Sequence, residues 1–231
     1  MFDAVRPWLG GDRSLERLNR LAESAGIETL SGRPVRFVRP GGADARYELR
    51  VFETGCVQTR AESLHDWFNA LAWLAFPRTK ARINALHAAR IPHEHGRRGR
   101  LRDLLTLLDE GGAIVQCDDA GLITLLRGSR WKALFWENRT RVLRSMRIAV
   151  IGHAVLEKAL DPWPGITCKA ICVAAAGAAD AEAAAWLDRL APQATPRALS
   201  PLPVFGYPGW LAGSERAEFY EDTRYFRPAK E

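Results

Sequence analysis

An α+β fold, with helices predominating and packed on a small, mainly antiparallel sheet, is what the sequence predicts, and three observations predict it. Several segments place apolar residues at helical spacing, while short β-branched or aromatic segments sit between turn-forming residues. The chain has 231 residues, 47% apolar and 26% charged, enough for one core without reaching the size at which chains divide. Residues 1–231 are therefore expected to form a single domain. The same composition excludes wholesale disorder, collagen and coiled coil.

Taken in order, Arg13 to Ala25 carries Leu15, Leu18, Leu21 and Ala22 on one stripe, with Gly26 as the stop signal, and predicts a short helix. Val35 to Val38 and Tyr47 to Phe52 flank the turn-rich Pro40-Gly-Gly-Ala-Asp and read as a hairpin. Glu62 to Phe76 predicts a helix on Leu64, Trp67, Phe68, Leu71 and Leu74. Pro77 then forces a sharp break before a second helix, Lys80 to Ala89, with Ile83 and Leu86 on its stripe. Arg100 to Leu108 predicts a third helix, stopped by Asp109-Glu-Gly-Gly. Ala113 to Cys117 and Leu122 to Leu126, on either side of Asp118-Asp-Ala-Gly, read as a second hairpin. A longer helix is expected from Arg139 to Leu160 on Val142, Met146, Ala149, Val150 and Leu156, with His153 on its buried stripe as a core histidine. Ile166 to Val173 reads as a strand, Asp180 to Leu190 as a helix opened by an acidic cap, and the chain from Pro192 onward as irregular.

The longest strongly apolar run, Ile148 to Leu156, is far too short to span a membrane, and the amino terminus lacks the basic-then-apolar layout of a secretory signal. A cytoplasmic protein without membrane association is expected. The four cysteines, Cys56, Cys117, Cys168 and Cys172, form no Cys-x-x-Cys pair and read as reduced thiols. Cys168 and Cys172 share strand parity, but with no histidine pair nearby a zinc site is not expected. No serine elbow, Walker loop, dinucleotide glycine fingerprint or metalloprotease motif occurs, so the cofactor is unknown and the familiar nucleotide and hydrolase classes lose weight.

The net charge of +6 hides an asymmetry. Pro77 to Arg102 carries a local +7 and Arg127 to Arg147 another +6, leaving −7 for the rest of the chain. Arg78, Lys80 and Arg82 fall in the first turn after Pro77, and Arg100 and Arg102 in the first turn after Gly99, where the helix dipole prefers acids. Something anionic is expected to offset them. A phosphate, a carboxylate ligand, a nucleic-acid backbone or the chain's own acidic segment, Glu215 to Asp222, would each serve.

The chemistry-bearing segment is Leu64 to His87. His65 and Asn69 are four apart, Asp66 adjoins His65, and Asn84 and His87 are three apart on the next helix. If the two helices fold back antiparallel about Pro77, His65 opposes His87 or Ala88 and Asn69 opposes Asn84, which puts two histidines, an aspartate and two asparagines in one cleft. An imidazole oriented by a carboxylate is a usable general base, and the same groups could ligate a divalent metal. Helix capping is the structural alternative for His65 and Asp66. Asp109 and Glu110, at a helix-to-strand junction, are within reach of such a cleft. Arg130 to Arg141 mixes cations with aromatics, but Trp131, Leu134, Phe135, Val142 and Met146 also fit one core stripe. His93 and His95 fall in a loop where solvent exposure is the expectation.

Leu64-His-Asp-Trp-Phe-Asn-Ala-Leu through Phe-Pro-Arg-Thr-Lys-Ala-Arg-Ile-Asn-Ala-Leu-His87, with Ile151-Gly-His-Ala-Val-Leu-Glu-Lys and Pro203-Val-Phe-Gly-Tyr-Pro-Gly-Trp, resemble the bacterial domain-of-unknown-function family numbered 3025. The likeness runs from about Arg60 to Pro228, and the first 59 residues match less clearly. The resemblance implies one domain and a bacterial source. It places His65, Asp66, Asn69, Arg78, Lys80, Asn84, His87 and His153 at motif positions without assigning any of them a role.

Two functions follow from the residues. In the first, an enzyme or ligand-binding protein uses His65 as general base, Asp66 to orient it, Asn69, Asn84 and His87 to complete the cleft, and Arg78 and Lys80, flanked by Arg82, Arg100 and Arg102, to hold an anionic small molecule. In the second, a non-enzymatic protein docks its two basic blocks on nucleic acid or an acidic partner.

Overall fold

The structure, a computed structural model, describes residues 1–41, 46–94 and 98–229. In chain order the elements are α1 (Arg6–Leu9), α2 (Leu15–Ser24), β1 (Arg36–Val38), α3 (Tyr47–Thr54), β2 (Cys56–Gln58), α4 (Leu64–Ala75), α5 (Pro77–Arg90), α6 (Arg100–Gly111), β3 (Gly112–Gln116), α7 (Ala120–Arg127), α8 (Arg139–Ser145), β4 (Arg147–Val150), α9 (His153–Lys158), β5 (Thr167–Val173), α10 (Ala179–Asp188) and β6 (Ser200–Pro203). Helix covers 52% and strand 13%, so the fold is α+β with helices predominating over small sheets.

The main sheet has the order β4-β3-β5-β6, its outer pairs antiparallel and its central pair, β3 with β5, parallel. Every residue of β3 is buried, because both faces of the sheet are covered. Alternation along β3 divides the core. Ile114 faces Leu104, Leu105 and Leu108 of α6 with Ala183 and Leu187 of α10. Ala113 and Val115 join Leu122, Leu126, Phe135 and Val150 in the larger cluster.

Four sequence expectations are corrected. The chain from Pro192 onward is not wholly irregular, because Ser200–Pro203 pairs antiparallel with β5 as β6. Tyr47 to Phe52 is helix rather than strand: Tyr47–Thr54 closes on Gly55, whose φ of 75° is a left-handed helix stop. β1 therefore pairs with β2, and in parallel, instead of forming a hairpin. Residues 42–44 of the expected turn lie outside the described residues. Leu122 to Leu126 is likewise helix, because Asp119 accepts from the backbone amides of Gly121 and Leu122 and so caps α7, with Leu122 and Leu126 on one buried stripe. The expected long helix from Arg139 to Leu160 breaks into α8, β4 and α9. Arg147–Val150 pairs with β3, whose partner edge needs a strand there, and this outweighs the helical apolar spacing.

The α4–α5 corner forms as the sequence predicts, with Pro77 at the first position of α5. The anion expected there is internal: the Asp180 carboxylate accepts from the amides of Arg78 (3.0 Å) and Thr79 (2.8 Å) and from Thr79 Oγ1 (2.7 Å). At α6, Glu94 takes the corresponding place, accepting from Gly99 N (2.8 Å) and Arg102 Nη1 (2.7 Å).

A second junction positions α9. The Gly112 carbonyl accepts from the amides of Ile151 and Gly152, and a β-carbon on Gly152 would stand 2.5 Å from Gly112 N and 2.7 Å from Glu110 O. Only glycine lets the start of α9 approach the end of α6 this closely, and His153 follows immediately.

Removing the α5 cap by Asp180→Ala is expected to lower stability by about 1–2 kcal/mol, as for other carboxylate caps. Urea unfolding checks it, and an unchanged midpoint would mean that α5 starts equally well without the carboxylate.

Candidate functional site

His65 and Asn69 stand one turn apart on α4, Lys80 and Asn84 on α5, Asp109 at the end of α6, and His153 and Glu157 one turn apart on α9. Together with Tyr47 and Glu48 of α3 these side chains bring five helices, α3, α4, α5, α6 and α9, to one place. A cleft of about 430 Å³ opens over them, lined by Glu48, Arg60, His65, Asp66, Asn69, Asp109 and His153 among others.

At its centre is a chain of hydrogen-bonding groups. His65 Nδ1 lies 3.1 Å from Glu157 Oε2, and His65 Nε2 lies 3.1 Å from His153 Nε2. The two rings meet edge to face, with centroids 4.5 Å apart. His153 Nδ1 has no hydrogen-bond partner among the described residues, and the Asp109 carboxylate stands 3.8 Å from it. Asp109 in turn pairs with Lys80 Nζ, which also donates to Asn69 Oδ1 at 2.8 Å. Lys80 is 4% exposed, so this ion pair is largely out of water.

A carboxylate at His65 Nδ1 selects the tautomer with its proton on that nitrogen and leaves a lone pair on Nε2. His153 then donates through Nε2, and its own Nδ1 is bare. Burial holds the His153 ring well below the usual imidazole range, at about 4, against the opposing charge of Asp109, so the ring is neutral at pH 7.

The two buried carboxyls are driven apart. Burial and the charge of Asp109 raise Glu48, although Asn84 and Lys80 oppose the rise. Burial would also raise Asp109, but Lys80 and the neighbouring imidazoles outweigh it and Asp109 stays low. The two carboxyls are thus shifted in opposite directions, Glu48 up and Asp109 down. Asn84 Nδ2 donates to Glu48 Oε2 and to the Glu48 carbonyl, both at 2.8 Å, and Asn84 Oδ1 is left buried without a partner among the described residues. A second cavity of about 20 Å³ lies against Asn69, Asn84, Lys80 and Glu48, room for one water molecule.

The site therefore differs from the one expected. His65 and Asn69 line the cleft, and Asn84 shares the small cavity with Asn69, but His87 does not face His65: its Nδ1 accepts from Arg102 Nε at 3.1 Å. Asp66 does not orient His65. Its carboxylate accepts from Arg60 N, Nε and Nη2 at 2.8–2.9 Å, and those bonds keep it low despite burial. The carboxylate at His65 is Glu157. His153, expected to be a satisfied core histidine, is buried but has one unsatisfied nitrogen. Asp109 reaches the cleft as expected. Glu48 and Glu157 were not predicted, although the four-residue spacing of His153 and Glu157 was a legible signal.

The cations are mostly engaged within the chain. Arg82 pairs with Asp188, Arg98 with Asp103, Arg102 with Glu94 and Arg141 with Asp119. Lys132 pairs with Glu221 and Arg139 with Glu215, so the acidic carboxy-terminal segment does reach the second basic block. Arg78 and Arg100 are exposed. His93 is exposed in a short turn, and His95 lies outside the described residues. The four cysteines are free thiols, and burial pushes Cys168 up to about 12. Among the described residues no group of three or more histidine, cysteine or carboxylate side chains is disposed to hold a metal, and no helix is long and apolar enough to cross a membrane.

A family model described as a protein of unknown function, DUF3025, matches residues 35–230, and the chain belongs to that family. The match begins at Val35 and so takes in part of the amino-terminal stretch that looked less alike. No curated protein and no solved structure matches the chain.

His87 and His153 are both buried, and burial holds each at about 4. The unfolded chain protonates them near pH 6.5, so each ring removes stability as the pH falls from about 6.5 to about 4, by up to ~3 kcal/mol, with no further loss below. Urea midpoints at pH 7 and pH 4.5 are expected to lie closer together in His87→Asn than in the parent chain. Equal spacing in the two would show that His87 titrates normally.

Proposed function

We propose that the chain is an enzyme of acid–base chemistry, with His65 as general base and Glu48 as general acid. The single observation that carries the reading is the Glu157–His65–His153 chain opening on the 430 Å³ cleft. Glu157 holds the His65 proton on Nδ1 and keeps the Nε2 lone pair for reaction. In the resting cleft His153 Nε2–H occupies that lone pair. A substrate O–H or N–H takes its place and gives its proton to Nε2. Glu48, raised by burial and by the charge of Asp109, supplies a proton to the departing group, the division of labour expected when neighbouring environments push two titratable groups apart. Asn69, fixed by Lys80, orients the polar groups of the substrate, and Asn84 holds Glu48 from the adjoining small cavity.

The substrate class is neutral or cationic and polar. Lys80 and Arg60 are each matched by a carboxylate, Asp109 and Asp66, while Glu110 on the rim and Glu157 behind His65 have no cationic partner among the described residues. The anion-holding role first expected of Arg78 and Lys80 gives way to this. The same reading takes residues 1–231 as one domain, supported by a hydrophobic cluster that runs from Val5 to Phe226.

A thermal-shift screen of amines, amides and polyols, with phosphates and carboxylates as the contrast, tests the reading. Neutral or cationic compounds are expected to stabilise the chain, and the effect to vanish in His65→Ala, whose side chain is 40% exposed and whose loss leaves the core intact. Turnover of such a compound, followed by mass spectrometry, should fall by about 10²-fold or more in His65→Gln and in Glu48→Gln. Stabilisation by anions alone, or turnover indifferent to His65, would overturn it.

A further inference from the structure

A second large cavity shares no lining residue with the cleft. It encloses about 740 Å³ between the ends of β5 and β6, the Trp163 loop that precedes β5, and the carboxy-terminal segment. That volume suits a ligand of cofactor size.

Its floor is rigid. Trp131 is buried, with Nε1 donating to the Arg227 carbonyl at 2.7 Å. Tyr225 is buried as well, its hydroxyl donating to the Ile166 carbonyl at 2.8 Å and accepting from Phe205 N at 2.9 Å. Over this floor stands an indole that the fold leaves uncovered: Trp163 is 53% exposed. The indole packs against backbone: Gly165 has a φ of 146°, a conformation that favours glycine, and a β-carbon there would fall within the Trp163 ring. An exposed large aromatic packed so closely on a glycine backbone is a flat platform already in position.

The charge beside the platform is positive and partly unspent. Arg224 is neutralised by Asp222, which accepts from Nε at 2.9 Å and from Nη2 at 3.1 Å. Lys169 has no hydrogen-bonding or acidic partner among the described residues, although β5 holds it half-buried on the cavity wall. Arg227, which also lines the cavity, donates through Nε to the Arg224 carbonyl at 3.1 Å and has no acidic partner among the described residues. Two cations therefore line the same cavity as the exposed indole. A half-buried cation without a counter-ion is unfavourable until an anion reaches it.

We propose that this cavity is a binding site for a planar aromatic compound that carries an anionic group, the ring stacking on Trp163 and the anion held by Lys169 and Arg227. That chemistry is shared by nucleotides and by aromatic carboxylates. The site is independent of the His65 cleft, and either assignment stands or falls without the other.

Calorimetric titration of the full chain with adenosine monophosphate, adenosine, indole-3-acetate and inorganic phosphate tests it and separates the two sources. Binding is expected for adenosine monophosphate or indole-3-acetate, with the preferred one naming the source, and at least about tenfold weaker binding for adenosine and for phosphate alone, since each lacks one of the two contacts. Trp163→Ala should weaken binding by about tenfold or more and Trp163→Phe should restore most of it, because a ring of any kind stacks. Lys169→Ala should reduce the preference for the anionic compounds. Both side chains are at the surface of the cavity, and melting temperatures are expected to stay near that of the parent chain. Absence of binding by both anionic compounds, equal affinity for adenosine and its monophosphate, or affinity untouched in Trp163→Ala would each overturn the proposal.

Discussion

The pairing of Lys80 with Asp109 constrains everything around it. Two charges removed from water are costly, and their attraction offsets that cost only when the remaining protons and lone pairs are also satisfied. Asn69 from α4 takes one proton of Lys80, the Trp73 ring stands 5.6 Å from the ammonium, and His153 from α9 approaches the other oxygen of Asp109. Four helices are thereby fixed relative to one another at a single polar point. Deleting one partner of such a pair typically costs about 3–5 kcal/mol, because the other charge is stranded. The same charge pair acts on its neighbours alongside burial: burial and the charge of Asp109 raise Glu48, whereas burial lowers His153 against the opposing charge of Asp109.

Close backbone approach makes that polar point geometrically attainable. The end of α6 runs directly into β3, which lies at the centre of the sheet, so Asp109 sits at the junction of the helical layer and the sheet. Gly152 rests on Gly112 at the same junction and delivers His153 to it. The sheet thus fixes α6 and α9 from below, while the Pro77 corner fixes α4 against α5. The unsatisfied Nδ1 of His153 and the unsatisfied Oδ1 of Asn84 lie within this otherwise well-bonded network. Buried groups without partners are uncommon in native cores, and these two lie at the cleft and its adjoining cavity.

Charge elsewhere follows a different rule. The two basic blocks are not a uniformly free electropositive face, because half of their described members pair with carboxylates of the chain: Asp109 and Asp188 serve α5, Glu94 and Asp103 serve Arg102 and Arg98, and Asp119, Glu215 and Glu221 serve the second block. Exposed pairs of this kind contribute little stability each, about 0–1 kcal/mol. Their consequence is to spread the positive charge of the blocks over internal partners. Lys169 and Arg227, outside the blocks, keep their charge for the cavity they line.

The sequence by itself determined the fold class, the helices α2, α4, α5, α6 and α10, the Pro77 corner, strands β1, β3 and β5, and the concentration of chemistry in Leu64 to His87. These rest on periodicity and on local breakers, which report the face a segment buries within a few residues of itself. It misread Tyr47 to Phe52 and Leu122 to Leu126, where the helix signals were a cap and a stop, Asp119 and Gly55, instead of a long stripe. It misread Arg147 to Val150 because helical spacing there was overridden by pairing with β3. Those errors hid the partners of His65. A lone segment reveals that His65 shares a helix face with Asn69, but which carboxylate meets its ring depends on α9 being a separate helix, docked by Gly152 on Gly112, some 90 residues away in sequence. Only the tertiary structure decided that Glu157 and His153 replace Asp66 and His87, because the pairing of buried polar groups is set by long-range packing and each group must find the partner that the fold brings to it.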